Sequence, residues 1–175
     1  EKSFRQAIKL SANSHENYTN LGNVLLNLKQ FDAAIINFQK ALSIKLDINA
    51  VTGLGTALSA SGKTDTAVEM LNELAPKFMG SQEHLARVVR HLAEFYADTD
   101  NHNSTLRLIE YWLEKSKNNV ELMFVYAYFL QRFERFPYAI KAYEAVLSIS
   151  PKHTNSTINL AVLSTGENSF LFLLQ

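Results

Sequence analysis

Small residues that recur at a nearly constant spacing limit how this chain can fold more than any other feature. Gly22, Gly55, Ala93, Ala127 and Ala161 follow one another at intervals of 33, 38, 34 and 34 residues. A bulky Leu or Tyr comes directly before each of them. Periods of about 20 to 50 residues are typical of arrays in which every repeat packs against its neighbours. We therefore expect a stack of similar units.

A second set of positions recurs in phase with the first. Twelve residues after each of the first four small residues, the chain has Ala34, Ala67, Thr105 and Ala139. Four residues further on come Phe38, Leu71, Ile109 and Tyr143, and three residues after those come Ala41, Leu74, Trp112 and Val146. Spacings of four and seven residues lie on one face of an α-helix. Each repeat is therefore predicted to contain two amphipathic helices.

The segment from Tyr18 to Ala41 resembles a tetratricopeptide repeat. It has Leu21-Gly22 in the first helix, then Ala34, Phe38 and Ala41 in the second, with a polar turn at Lys29-Gln30. The resemblance implies an all-α fold, a right-handed superhelical solenoid of antiparallel helix pairs. About four full repeats are expected, with partial repeats at both ends. We expect a single solenoid domain over residues 1–175, as a fragment of a longer array or protein.

The interval of 38 residues is the one break in the period. It falls at residues 75–81, where Pro76 and Gly80 interrupt a helical pattern. Either the insertion is simply tolerated, or it bends the array locally. In the repeat that follows, Trp112 stands where smaller residues are expected, and we predict that it widens the packing or lies partly exposed.

Both ends of the chain carry apolar residues. Phe4 and Ala7 fall on the register of a second helix whose first helix would precede residue 1. The segment from Phe170 to Leu174 is either a second helix cut short or a hydrophobic cap. Both ends offer apolar surface through which copies of the chain could form a homo-oligomer.

Composition argues against several classes of function. The formal net charge is zero, there is no cysteine, and no apolar run approaches the ~20 residues of a membrane span. The sequence has no polybasic run of the kind that binds the phosphate backbone of nucleic acids. No Gly-rich phosphate loop or His-Glu-x-x-His motif is found, and the five histidines are scattered. We expect no catalytic residue, cofactor or metal, and therefore no enzyme; a cytoplasmic or a periplasmic location would both fit.

A solenoid of this kind has a concave surface lined by the first helices of its repeats. The helical period selects which residues face it. The predicted peptide-binding groove comprises Asn20, Asn23, Asn27, Asn49, Thr56, Arg87, Arg90, His91, Glu94, Phe124, Tyr128 and Asn159. The same period places further residues beside them: Glu16, Thr19, Thr52, Gly53, Asp98, Glu121, Val125, Arg132, Asn155, Ile158 and Val162. It runs from an amide-rich part through a part with Arg and His to an aromatic part. The alternative is an ordinary solvated face.

These features predict a scaffold for protein–protein interaction that binds a peptide or a partner surface in the groove. One alternative is a scaffold that assembles with itself through its apolar ends. Another is a regulatory or substrate-recognition region of a larger enzyme. One tetratricopeptide subclass holds the C-terminal carboxylate of chaperones, but at its five positions only Asn23 and Arg87 fit here, so that activity is not predicted.

Overall fold

The structure, a computed structural model, describes residues 14–97 and 102–165, and every regular element in these two ranges is helical. The α-helices are α1 (His15–Asn27), α2 (Phe31–Ile44), α3 (Ile48–Ala60), α4 (Thr64–Leu74), α5 (Gln82–Ala97), α6 (His102–Lys115), α7 (Val120–Arg132), α8 (Phe136–Ile149) and α9 (Thr154–Thr165). A 3₁₀ turn, Ala75–Phe78, follows α4. The predicted all-α class of paired helices is confirmed.

The chain divides into two compact units. Unit 1 comprises Glu1–Lys77 and unit 2 comprises Phe78–Gln175. Within each unit, helices that follow one another in the chain pack together as the repeat pattern predicts. The prediction of one domain over residues 1–175 stays a prediction.

All five described first helices begin after a residue whose side chain caps the helix. Each cap accepts a hydrogen bond from a backbone N–H of the first turn: Ser14 in α1, Asp47 in α3, Ser81 in α5, Asn119 in α7 and His153 in α9. Short polar side chains at this position satisfy N–H groups that have no partner inside the helix. The local sequence therefore sets where these helices start.

The turns within three of the repeats share one backbone conformation. Lys29, Gly62 and Glu134 stand at equivalent places, and their φ angles are 58°, 82° and 58°. This left-handed conformation is easy for glycine and costs other residues about 1 to 2 kcal/mol. Only Gly62 indicates the turn conformation from its residue type.

The core of unit 1 is built around Phe38 of α2, which is completely buried. Gly22 of α1 and Gly53 of α3 both face its ring. A Cβ atom added to Gly22 would lie 2.7 Å from a ring carbon, and one added to Gly53 would lie 2.5 Å from a ring carbon. Only glycine leaves room for the ring at these two places.

The core of unit 2 follows the same register with larger groups. Ala93 and Ala127 are fully buried at the contact positions of α5 and α7, as are Ile109 of α6 and Tyr143 of α8. The predicted register of small and large residues is therefore found in both units.

One of the two alternatives predicted for Trp112 of α6 is wrong. The side chain is buried, with 6% of its surface exposed; that it widens the packing stays a prediction. Among the described residues, its Nε1–H is the one buried side-chain polar group that has no hydrogen-bond partner. The indole is buried at the position that Val146 takes one repeat later, and its N–H donor is left without a partner there.

Some predicted features fall outside the described residues: Phe4, Ala7, positions 98–101 of the polar turn before α6, and the segment from Phe170 to Leu174. At the last contact position, Ala161 of α9 is exposed. No described helix follows α9 to cover it.

Candidate functional site

Four side chains of α5 line a concavity in unit 2. Arg87, Arg90, His91 and Glu94 surround a volume of about 290 Å³. They fall at spacings of three, four and seven residues, which place them on one face of the helix. Burial lowers the pKa of His91, and the charges of Arg87 and Arg90 lower it further, while Glu94 acts in the opposite direction. The neutral imidazole is therefore favoured here.

Contacts between α5 and α7 join this concavity to the next first helix. Glu94 accepts a hydrogen bond from Arg132 Nη1 and lies 3.8 Å from Arg90 Nε. The Arg90 guanidinium lies 5.1 Å from the centre of the Tyr128 ring. We call Arg87, Arg90, His91, Glu94, Phe124, Tyr128 and Arg132 the unit 2 face.

Phe124 extends the unit 2 face with a half-buried aromatic ring. Its centre lies 5.0 Å from that of His153 and 6.0 Å from that of Tyr143. His153 in turn accepts the Ser156 N–H at Nδ1 over 3.2 Å, and its Nε2 lies 3.7 Å from Glu121 Oε1. His153 thus caps the start of α9 and places its own imidazole ring beside the ring of Phe124.

Asn159 of α9 is engaged by the core of unit 2. Its Nδ2 donates to the Tyr143 hydroxyl over 2.9 Å, and that hydroxyl donates to Gln131 Oε1 over 2.8 Å. Burial raises the pKa of Tyr143 to about 12, while the Asn159 hydrogen bond acts against this rise. A second concavity of about 450 Å³ is lined by Tyr128, Gln131, Arg132, Glu134, Phe136 and Asn159.

The predicted groove residues of unit 1 carry amides and a hydroxyl. Asn20, Asn23 and Asn27 are exposed on α1, and Asn49 and Thr56 are exposed on α3. Each spacing within the α1 set is three or four residues, so the three amides follow one stripe of the helix. The structure describes no charged cluster among them.

The structure contradicts four of the residues predicted to face the groove. Thr19, Thr52, Gly53 and Val125 are buried. The Thr52 hydroxyl donates to the Ile48 carbonyl of its own helix over 2.9 Å, and Gly53 lies against the Phe38 ring. These positions lie nearer to the packed side of their helices than the helical period alone indicated.

A larger concavity in unit 1 lies away from the amides. It measures about 650 Å³ and is lined by Lys29, Gln30, Phe31, Asp32, Ala33, Ala60, Ser61 and Lys63. These residues belong to the turns after α1 and α3 and to the neighbouring helix ends. Lys63 Nζ and Asp32 Oδ1 form an exposed ion pair of 3.3 Å across it, so this volume is a space between turns.

His153 and Tyr143 were not predicted as part of the site. The five histidines are scattered along the sequence and give no sign of a shared site, yet the His153 side chain is only 12% exposed. Its place directly before a predicted helix start was the available signal. Tyr143 was assigned to the core, and nothing in its spacing shows that its hydroxyl holds Asn159.

The described part of the chain lacks both a cluster of metal ligands and a membrane-spanning helix. Among residues 14–97 and 102–165, no three His, Asp or Glu side chains are placed to hold a metal ion together. Over the same residues, every helix is too short or too polar to cross a bilayer.

A family model described as "Tetratricopeptide repeat" matches residues 15–48. This stretch contains α1 and α2, with Gly22 and Phe38 in the positions that suggested the resemblance. The predicted recognition of this repeat family is confirmed, and α1 with α2 is a tetratricopeptide repeat. Structures of other proteins agree on the fold of the remaining helix pairs.

One curated relative and two of the solved structures that are similar to this chain illustrate the likeness. Superkiller protein 3 of Schizosaccharomyces pombe is 45% identical over 56 residues, which span 31% of this chain and only 4% of that protein. The structure of pilF from Pseudomonas aeruginosa aligns with a TM-score of 0.56 at 17% identity, over 90% of this chain and 70% of the other. MamA protein aligns with a TM-score of 0.51 at 18% identity, over 87% and 82%. At these identities the two structures show the fold alone.

Proposed function

We propose that this protein is a non-enzymatic interaction scaffold whose unit 2 face binds an extended peptide segment of a partner protein. The observation that carries the proposal is the contact of Arg90 with Tyr128, which joins the charged concavity of α5 to the aromatic part of α7. Repeat arrays of this kind use the surface of their first helices for binding. The repeat match at residues 15–48 supports the general role as a scaffold.

The chemistry of the unit 2 face suits a peptide. Guanidinium groups bind carboxylates and carbonyl oxygens through several N–H donors. The rings of Phe124 and Tyr128 offer flat apolar area with little loss of side-chain freedom. Arginine and tyrosine are enriched among residues that contribute most to protein interfaces.

The test is a selection of random peptides on the full chain, followed by affinity measurements with four single variants. Arg90→Ala and Tyr128→Ala should each lower the affinity for the selected peptides by about tenfold or more, as expected for residues at the centre of an interface. Arg107→Ala and Tyr138→Ala are matched controls, because these exposed side chains lie on the second helices α6 and α8. They should change the affinity by less than about twofold.

Two results would contradict the proposal. The first is a set of peptides that bind Arg90→Ala and Tyr128→Ala as tightly as the unmodified protein. The second is a loss of binding confined to the controls Arg107→Ala and Tyr138→Ala, which would place the binding surface on the second helices. Circular dichroism of each variant checks that the helices are retained.

A second candidate function is self-association through apolar surface. Leu21, Val24 and Leu28 of α1 are 46%, 54% and 62% exposed, and they follow one stripe of that helix. Exposed apolar stripes of this kind mark interaction sites. Sedimentation of the full chain at several concentrations should show a dimer or larger species that Val24→Asp abolishes. A monomer at every concentration would exclude this candidate.

A further inference from the structure

Glu94 occupies the cationic part of the unit 2 face. Its carboxylate lies 3.8 Å from Arg90 Nε on its own helix and accepts a hydrogen bond from Arg132 of α7. Arg87 lines the same concavity. One carboxylate therefore shares this face with three guanidinium groups, two of which it contacts, and the charges of these four side chains sum to a positive value.

The surroundings of Glu94 allow its carboxylate to separate from Arg90 and Arg132. Its side chain is 31% exposed, and those of Arg90 and Arg132 are 51% and 35% exposed. Ion pairs that are open to water contribute little, because solvent screens them and two long side chains must be held still. Arg90 has a second partner in the Tyr128 ring, which holds its guanidinium in place when the carboxylate moves.

We propose that Glu94 is an internal competitor for the partner's carboxylate, so that an acidic side chain of the bound peptide replaces Glu94 against Arg90 and Arg132. The partner is accordingly an acidic peptide segment, with apolar residues beside the carboxylate to meet Tyr128 and Phe124. This inference rests on the proposed function, since it names the ligand of the same face. Glu94 moves into solvent when the partner binds.

The opposite role for Glu94 makes a contrasting prediction. If Glu94 bound a basic side chain of the partner, its carboxylate would be needed, and removing its charge would weaken binding. If Glu94 competes with the partner, removing its charge strengthens the binding of acidic peptides. The sign of the effect therefore decides between the two roles.

The experiment uses the full chain with three blocked peptides as probes: acetyl-tetraglutamate amide, acetyl-tetraglutamine amide and acetyl-tetralysine amide. Binding is followed through the Nε–Hε NMR signals of Arg90 and Arg132. Glu94→Gln should bind tetraglutamate roughly fivefold more tightly than the unmodified protein, as the loss of a weak exposed ion pair would allow. Tetraglutamine should be unaffected by the substitution.

Glu110→Gln is the matched control. Glu110 also accepts a hydrogen bond from another helix, from the Tyr126 hydroxyl over 2.6 Å, and its substitution changes the net charge equally. We expect Glu110→Gln to change the affinity for tetraglutamate by less than about twofold. Equal tightening in Glu94→Gln and Glu110→Gln would overturn the proposal, because net charge would explain both.

The remaining outcomes also decide. Weaker tetraglutamate binding by Glu94→Gln, or a tetralysine probe that shifts these signals only while Glu94 is present, would overturn the proposal. The proposal would also be overturned if tetraglutamate shifts the Nε–Hε signals of Arg90 and Arg132 neither in the unmodified protein nor in Glu94→Gln. If selected peptides ignore Arg90 and Tyr128 while Glu94→Gln still binds tetraglutamate more tightly, the proposed function fails and the competition stands. If they depend on Arg90 and Tyr128 but Glu94→Gln has no effect, the inference alone fails.

Discussion

The two units reach the same helix packing with side chains of different size. In unit 1 the contact positions of the first helices are Gly22 and Gly55, and in unit 2 they are Ala93 and Ala127. Unit 1 places one aromatic ring, Phe38, directly against two glycines. The difference teaches that one repeat pattern can be satisfied by close backbone approach or by larger buried groups.

The surfaces of the units differ as well. The described first helices of unit 1 carry exposed amides, whereas those of unit 2 carry Arg, Glu and Tyr side chains that contact one another between helices. Contacts of this second kind hold side chains in place before a partner arrives. Preorganised groups lose less freedom on binding, which favours unit 2 as the binding region.

The largest effect is expected where unit 1 depends on glycine. Gly53→Ala places a methyl group 2.5 Å from ring carbons of Phe38, which is completely buried and lies against Gly22 as well. Overpacking of about 3 kcal/mol, offset by about 1 kcal/mol of helix propensity, gives a net loss of about 2 kcal/mol. Urea denaturation measures it. Gly80→Ala is the control, because a Cβ there meets nothing within 4 Å, and an equal loss in both variants would contradict the prediction.

The next effect compares two helix caps. Asn119 is completely buried; its Oδ1 caps α7 and its Nδ2 donates to the Gln82 carbonyl over 3.2 Å. Asp47 only caps α3. Asn119→Ala should cost about 1.5 kcal/mol and Asp47→Ala about 1 kcal/mol, as measured by urea denaturation. Asn119→Asp keeps the cap and loses the donor, so a cost equal to that of Asn119→Ala would show that the cap contributes nothing.

A smaller, stabilising effect is expected at the turns of both units. Lys29→Gly and Glu134→Gly should each raise the free energy of unfolding by about 0.5 to 1 kcal/mol. Glycine removes the cost of the left-handed conformation but adds freedom to the unfolded chain. Gly62→Ala should lower it by about 1 kcal/mol for the same reason. If the free energy of unfolding rises in one of the variants Lys29→Gly and Glu134→Gly and falls in the other, the two turns are not equivalent.

The dependence of stability on pH tests the environment of His91. Its pKa is lowered in the folded state from the ordinary value of 6.5, first by burial and then by Arg87 and Arg90. As the pH falls through 6.5, the unfolded chain takes up a proton that the folded state does not, so the free energy of unfolding decreases. His91→Gln should reduce this decrease, and Arg87→Met should raise the His91 pKa in an NMR titration. A His91 pKa above 6.5 would contradict the prediction.

The smallest effect is expected at Trp112. Trp112→Phe removes the buried Nε1–H that has no partner among the described residues, which is favourable, and leaves a small cavity, which is unfavourable. The two terms are similar, so we expect a change within about 0.5 kcal/mol in thermal or urea denaturation. A loss of more than about 2 kcal/mol would show that the indole N–H has a partner.

Most of the fold could be predicted because it depends on periodic patterns. The intervals of the small residues set the helix pairs, and the residues Ser14, Asp47 and Asn119 set three helix starts. The left-handed conformation of Lys29 and Glu134 was not predictable, since neither residue type favours it. The helical period predicted most of the surface positions. It did not separate groove residues from residues at the edge of the packed side of the helix, and Thr52 and Gly53 are buried at that edge.

The sequence by itself determined the number, order and pairing of the described helices, because apolar spacing is a local property that each helix must satisfy. Tertiary structure decided which side chains of different repeats meet. The ion pair of Glu94 with Arg132, the stacking of Arg90 on Tyr128 and the hydrogen bond from Asn159 to Tyr143 join residues 16 to 38 positions apart. Their geometry depends on how helices from successive repeats pack, and no single segment contains that information.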